Sequence, residues 1–138
     1  MTEIAFEYWN KLADQTITIS ALLGGFSIAV IANLLVSETR NRLTNKIMGA
    51  STLAASFFLV TIFAMTKLLM MTTNGYPIKV VANDLLLPRV IGVIAFLLGI
   101  ISLLTMISLA GWTKSKKMGL FTTTVGVLTF LLILIMIT

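Results

Sequence analysis

The chain contains no cysteine and no histidine, and only five acidic residues. Without cysteine there is no disulfide, no thiolate nucleophile and no sulfur ligand for a metal, and nothing follows about redox compartment. Without histidine the commonest general base and the commonest metal ligand are gone. No acidic residue falls inside a long apolar run, and Glu38 and Asp84 read as helix-end or loop charges. Acid–base catalysis needs a group that titrates near the working pH, and covalent catalysis needs an activated nucleophile. The composition therefore argues against an enzyme and implies no metal or other cofactor. It also argues against a proton-driven exporter, which relies on a carboxylate held within the membrane.

Charge of either sign is scarce. Only 11% of the 138 residues are charged and 58% are hydrophobic, with a mean hydropathy of +1.04. A soluble domain carries about 25% charged residues to cover its core. Here that cover is missing, so the outside of the fold is expected to meet lipid. The net charge of +5 is read as orienting loops that touch anionic headgroups, and not as a nucleic-acid surface.

What is present is four apolar runs, residues 16–37, 47–71, 88–112 and 118–138. Each has about 20 residues or more, which at about 1.5 Å per residue crosses a hydrocarbon core of about 30 Å. The expected fold is all-α: one integral membrane four-helix bundle over residues 1–138, preceded by a short amphipathic helix. Lys67 and Arg89 are the charges within the runs, and both lie near an end, where a long side chain reaches the headgroups.

The opening segment TEIAFEYWNKLADQ puts Glu3, Glu7 and Lys11 on one helical face and Ile4, Tyr8 and Leu12 on another. It reads as an interfacial anchor, with a partner-binding or gating helix as the alternative. Its acidic character and the length of the first run are wrong for a cleaved signal peptide. Between the runs, Asn74-Gly75 marks a turn, Asn83 or Asp84 is a cap for the third helix, and Pro88 suits its first turn. Arg40, Arg42 and Lys46 sit in the first hairpin and Lys114, Lys116 and Lys117 in the last. Opposite them stand Lys11, Lys67, Lys79 and Arg89, so the charge bias leans the hairpins towards the cytoplasm. With no soluble tail after the fourth run, the function is expected to rest on four helices and their loops.

Two stripes of small residues suggest where helices approach closely. Ala21, Gly25, Ala29 and Asn33 repeat along the first run, and Gly92, Ala95, Gly99 and Ser102 along the third. In lipid such stripes bring backbones into van der Waals contact, either closing the bundle or joining subunits. Asn33 is the most polar group deep in a span. Its amide requires a partner or water, supplied by an interhelical hydrogen bond or by a pore shared between copies. Thr16, Ser20 and Ser27 fall on another face, where hydroxyls bond back to their own helix.

The stretch SALLGGF, Ser20 to Phe26, with the aliphatic residues on to Asn33, resembles the pore-lining first helix of the Orai family of calcium channels. That helix reads nearly the same, with serine at the position of Gly24. Four spans, a helical extension before the first, a tight first hairpin, and a tryptophan followed by lysines after the third fit the same plan. The resemblance implies a homo-oligomer in which Thr18, Leu22, Phe26, Ala29 and Asn33 face a central pore. These five positions span about 80° of helix circumference, so one face presents them all. Departures from the family are specific. Its selectivity glutamate falls on Asn33 and its inner basic residue on Thr18. Its C-terminal sensor-binding helix has no counterpart, and its termini are cytoplasmic, opposite to the charge bias here. Calcium selectivity and sensor gating are therefore not implied.

The expected function is a homo-oligomeric channel with an apolar gate near Leu22 and Phe26 and a polar ring at Asn33. The alternative is a membrane-anchoring or scaffold subunit that binds a protein partner through its basic hairpins and middle loop.

Overall fold

The computed structural model describes residues 3–38 and 41–137. Four helices follow one another: α1 (Glu3–Val36), α2 (Arg42–Met71), α3 (Leu86–Trp112) and α4 (Lys116–Ile137), with one 3-10 turn at Ala82–Leu85. All four are long and apolar enough to cross a membrane, and no strand occurs among the described residues. The chain is an all-α, multi-pass membrane fold.

The expected N-terminal helix forms the first turns of α1 and runs on into the span, because no proline or glycine interrupts the sequence before Gly24. Thr18 also stays within the ladder by donating its hydroxyl to the Asp14 carbonyl at 3.1 Å. With 34 residues, α1 is about 51 Å long and outruns a hydrocarbon core of about 30 Å. The surplus packs on protein. Ala13 is fully buried among Leu68, Met71 and Leu85, with Phe6, Trp9 and Ile17 beside it. The docked face is thus Phe6, Trp9 and Ala13. Tyr8, expected on the apolar face, is 60% exposed, and the side chain of Ile4 lies outside the described residues. The expected Glu7–Lys11 pair forms at 3.7 Å on the solvent side.

Three helices interdigitate with a spacing of alternately three and four residues. In α2 the buried series is Ile47, Ser51, Ala54, Phe58, Thr61, Met65 and Leu68. In α3 it begins Pro88, Gly92, Ala95 and Gly99. In α1 it is Ala13, Ser20, Gly24 and Ser27. A repeat averaging 3.5 keeps one seam facing its neighbour, the pattern of left-handed packing in membrane bundles. Successive helices pair: α1 on α2, α2 on α3, α3 on α4. Phe58 is the centre of this arrangement, fully buried between Gly24 of α1 and Gly99 of α3, with Phe96 edge-on at 6.1 Å.

α4 differs. Its buried residues are Gly119 and Gly126, and it lies on α3 through pairs of small and large groups. The Trp112 ring covers Gly119, Thr122 covers Gly111, and Ser108 faces Gly126. Trp112 Nε1 donates to Thr123 Oγ1 at 3.0 Å, and Thr122 Oγ1 donates to the Ser108 carbonyl at 3.1 Å.

The connections follow the sequence. Asn41 caps α2, its Oδ1 accepting from Thr44 N at 2.8 Å, and Ser115 caps α4 by accepting from Met118 N at 3.1 Å. Gly75 has φ +93, where only glycine is unstrained, at the expected Asn74-Gly75 turn. Asp84 reaches back to accept from Val81 N at 3.0 Å within the 3-10 turn. α3 starts from Leu85 with no side-chain cap bond, so neither Asn83 nor Asp84 makes the cap expected of it. Both hairpins fall at one end of the helices. By place in the sequence, six bases and one acid belong to the two hairpins and the adjoining helix ends and four of each to the opposite end, so the net charge of +5 falls on the hairpin side.

Candidate pore face on the first helix

Along the span α1 has one buried face and one exposed face. Ser20, Gly24 and Ser27 face α2, and a Cβ placed on Gly24 would meet Phe58 Cβ at 3.3 Å. At about 100° per residue the arc centred on Leu22 lies nearly opposite. All five expected pore residues occupy it: Thr18, Leu22, Phe26, Ala29 and Asn33 are exposed. Leu22 is 70% and Phe26 53% exposed, far from core values, so none of the described residues covers this arc.

The two small stripes have different fates. Gly92, Ala95 and Gly99 close the bundle as one of the two readings expected. The end of Met65 seats on Gly92, and Phe58 ring carbons lie 2.9–3.1 Å from where a Gly99 Cβ would stand. Ala21 and Gly25 do not pack within the chain, which corrects the bundle-closing reading for the first helix. Both are exposed, and a Cβ on Gly25 would meet nothing within 4 Å. The neighbouring Ser20–Gly24–Ser27 face took that place because it is equally small and also carries hydroxyls. Burying it removes polar atoms from lipid, as with Ser27, whose Oγ donates to the Leu23 carbonyl at 2.9 Å. The Ser20 hydroxyl is fully buried and has no partner.

The exposed sector of α1 thus joins a groove of small residues, Ala21, Gly25 and Ala29, to a ridge of Leu22 and Phe26. Asn33 ends it. The helix stops at Val36, so the amide stands about 4.5 Å from the hairpin end of the helix, and not deep in the span where the sequence leads one to expect it.

Several contacts were not read from the sequence. Asn10 Nδ2 donates to the Leu69 carbonyl and to the hydroxyls of Thr72 and Thr73 at 3.0–3.2 Å. This ties α1 to the end of α2, beside an open cleft of about 710 Å³ that the middle loop lines with Tyr76 and Val80. The Arg89 guanidinium stacks on Trp9. A lone polar residue on the mostly apolar docking side of α1 was the one available signal for Asn10. The described carboxylates of Glu7, Asp14, Glu38 and Asp84 are all exposed.

Compared with known protein families, with characterised proteins and with solved structures, the chain matches none.

Proposed function

We propose that this chain is the subunit of a homo-oligomeric membrane pore whose wall is the uncovered sector of α1. The observation that carries the reading is the coincidence of that sector with Thr18, Leu22, Phe26, Ala29 and Asn33. A helix seeking only lipid would gain nothing from glycine and an amide on its outer face, whereas copies meeting around an axis would use both. Leu22 and Phe26 then form an apolar constriction that opens and closes by wetting, a gate that needs no titratable group. Asn33 supplies a polar ring at the mouth.

The lack of cysteine gives a clean test. Single cysteines at Leu22, Phe26 and Asn33 in protein reconstituted into liposomes should react with water-soluble thiol reagents and block ion flux. Cysteine at Leu53, an exposed position of α2, should stay unreactive. Asn33→Asp should favour cations over anions. Electrically silent liposomes, or equal protection of all positions, would overturn the reading.

Orientation follows from charge. α2 and α4 begin with Arg42 and Lys46, and with Lys116 and Lys117, and neither has an acid in its first turn. Each such cation opposes the helix dipole by about 0.3–1 kcal/mol. Anionic headgroups return about 1 kcal/mol per basic residue, and the hairpins accordingly lie in the cytoplasm. The same basic surface favours a second reading, a scaffold that holds an acidic protein partner. Co-purification of that partner at a fixed ratio, with α1 cysteines unreactive, would favour it.

A further inference from the structure

A shallow groove of about 440 Å³ runs between α2 and α3 on the outer surface of the bundle. Leu59, Val60 and Phe63 of α2 and Pro88 and Ile91 of α3 line it, and Lys67 is its one charged wall. From Leu59 to Lys67 the groove follows eight residues of helix, about 12 Å. One leaflet of a hydrocarbon core is about 15 Å deep, so the groove reaches from the interface almost to mid-membrane.

The cation at its mouth lacks a protein counter-charge. Lys67 is exposed, and the one ion pair among the described residues joins Lys11 to Glu7. Arg89, the other base within a span, is held over the Trp9 ring. Lys67 precedes the end of α2 at Met71 by one turn, a depth from which an ammonium on four methylenes reaches the phosphate plane. An apolar channel one leaflet deep, topped by an unpaired ammonium, matches a lipid tail below an anionic headgroup.

We propose that this groove is a binding site for an anionic phospholipid, with one acyl chain between α2 and α3 and the phosphate on Lys67. The site is independent of whether α1 lines a pore, because it uses neither that face nor an assembled ring.

Native mass spectrometry of delipidated protein offered phosphatidylglycerol and phosphatidylcholine of identical tails tests it. The expected result is a first bound lipid per subunit that is phosphatidylglycerol, preferred about fivefold, the factor one basic residue supplies near an anionic surface. Lys67→Gln should bring the preference close to one and Lys67→Arg should keep it. Ala64→Phe, which fills the groove, should reduce binding of both lipids, and Lys79→Gln in the middle loop should change neither. The proposal is overturned if Lys67→Gln retains the preference. It is equally overturned if Ala64→Phe leaves lipid binding intact, or if that variant breaks an oligomer and so shows a second copy in the groove.

Discussion

The guanidinium carbon of Arg89 lies 4.8 Å from the centre of the Trp9 ring, joining the start of α1 to the start of α3 across the end of α2. Trp9 also meets Tyr8 edge-on at 5.4 Å. A cation over an indole face contributes about 0.5–1 kcal/mol where exposed and about 2 kcal/mol where desolvated. The double-mutant cycle of Trp9→Leu and Arg89→Gln should therefore show a coupling of about 1 kcal/mol in detergent unfolding. Additive single effects would show that the stacking contributes no measurable stability.

Gly24 and Gly25 are adjacent and should respond in opposite ways. Gly24→Leu drives a side chain into Phe58 and should destabilise the folded chain by about 1–3 kcal/mol. Gly25→Leu meets open space and should leave monomer stability nearly unchanged while dissociating the proposed oligomer. Unfolding curves beside size-exclusion profiles in mild detergent separate the two effects. An intact oligomer in Gly25→Leu would remove the small groove of α1 from the subunit contact.

Ser20 presents the reverse of the usual polar substitution. Its hydroxyl is buried without a partner, a state that costs about 1–3 kcal/mol. Ser20→Ala should be neutral or stabilising by up to about 1 kcal/mol. Ser27→Ala, which removes a made bond, should not stabilise. Parallel thermal unfolding of the two variants checks the sign.

The α3–α4 hairpin depends on glycine at positions 111 and 119, each covered by a side chain of the other helix. Gly119→Val should displace Trp112 and destabilise the hairpin by about 1–3 kcal/mol. Trp112 emission in a Trp9→Phe background reports the displacement, since these are the two tryptophans of the chain. An unshifted spectrum would show that the ring tolerates a branched neighbour.

The spans were legible because hydrophobic length is a one-dimensional signal: four runs of sufficient length need no knowledge of partners. Local chemistry was legible too, as at Gly75, Pro88 and the Glu7–Lys11 pair. What was not read was which of two small faces of α1 meets α2. Ala21–Gly25–Ala29 and Ser20–Gly24–Ser27 are both narrow enough, and the buried face is the one whose hydroxyls burial removes from lipid. Its contact, Gly24 on Phe58, joins residues more than 30 positions apart. The opening segment is legible as helix from its residues, but the packing of Ala13 with Leu68 and Leu85 is not. The ties made by Asn10 and Arg89 are pairings between distant parts of the chain, and sequence spacing does not encode them.

The segregation of charge has an electrical consequence. Moving one elementary charge across a potential of 100 mV involves about 2.3 kcal/mol. By sequence position the hairpin side holds the net charge of +5 and the other side is balanced. Turning the molecule over in a membrane held at 100 mV would therefore carry five charges through the field, a difference of about 11.5 kcal/mol. An energised membrane thus acts as a continuing latch on the insertion direction, and a collapsed potential leaves that direction to loops and headgroups alone.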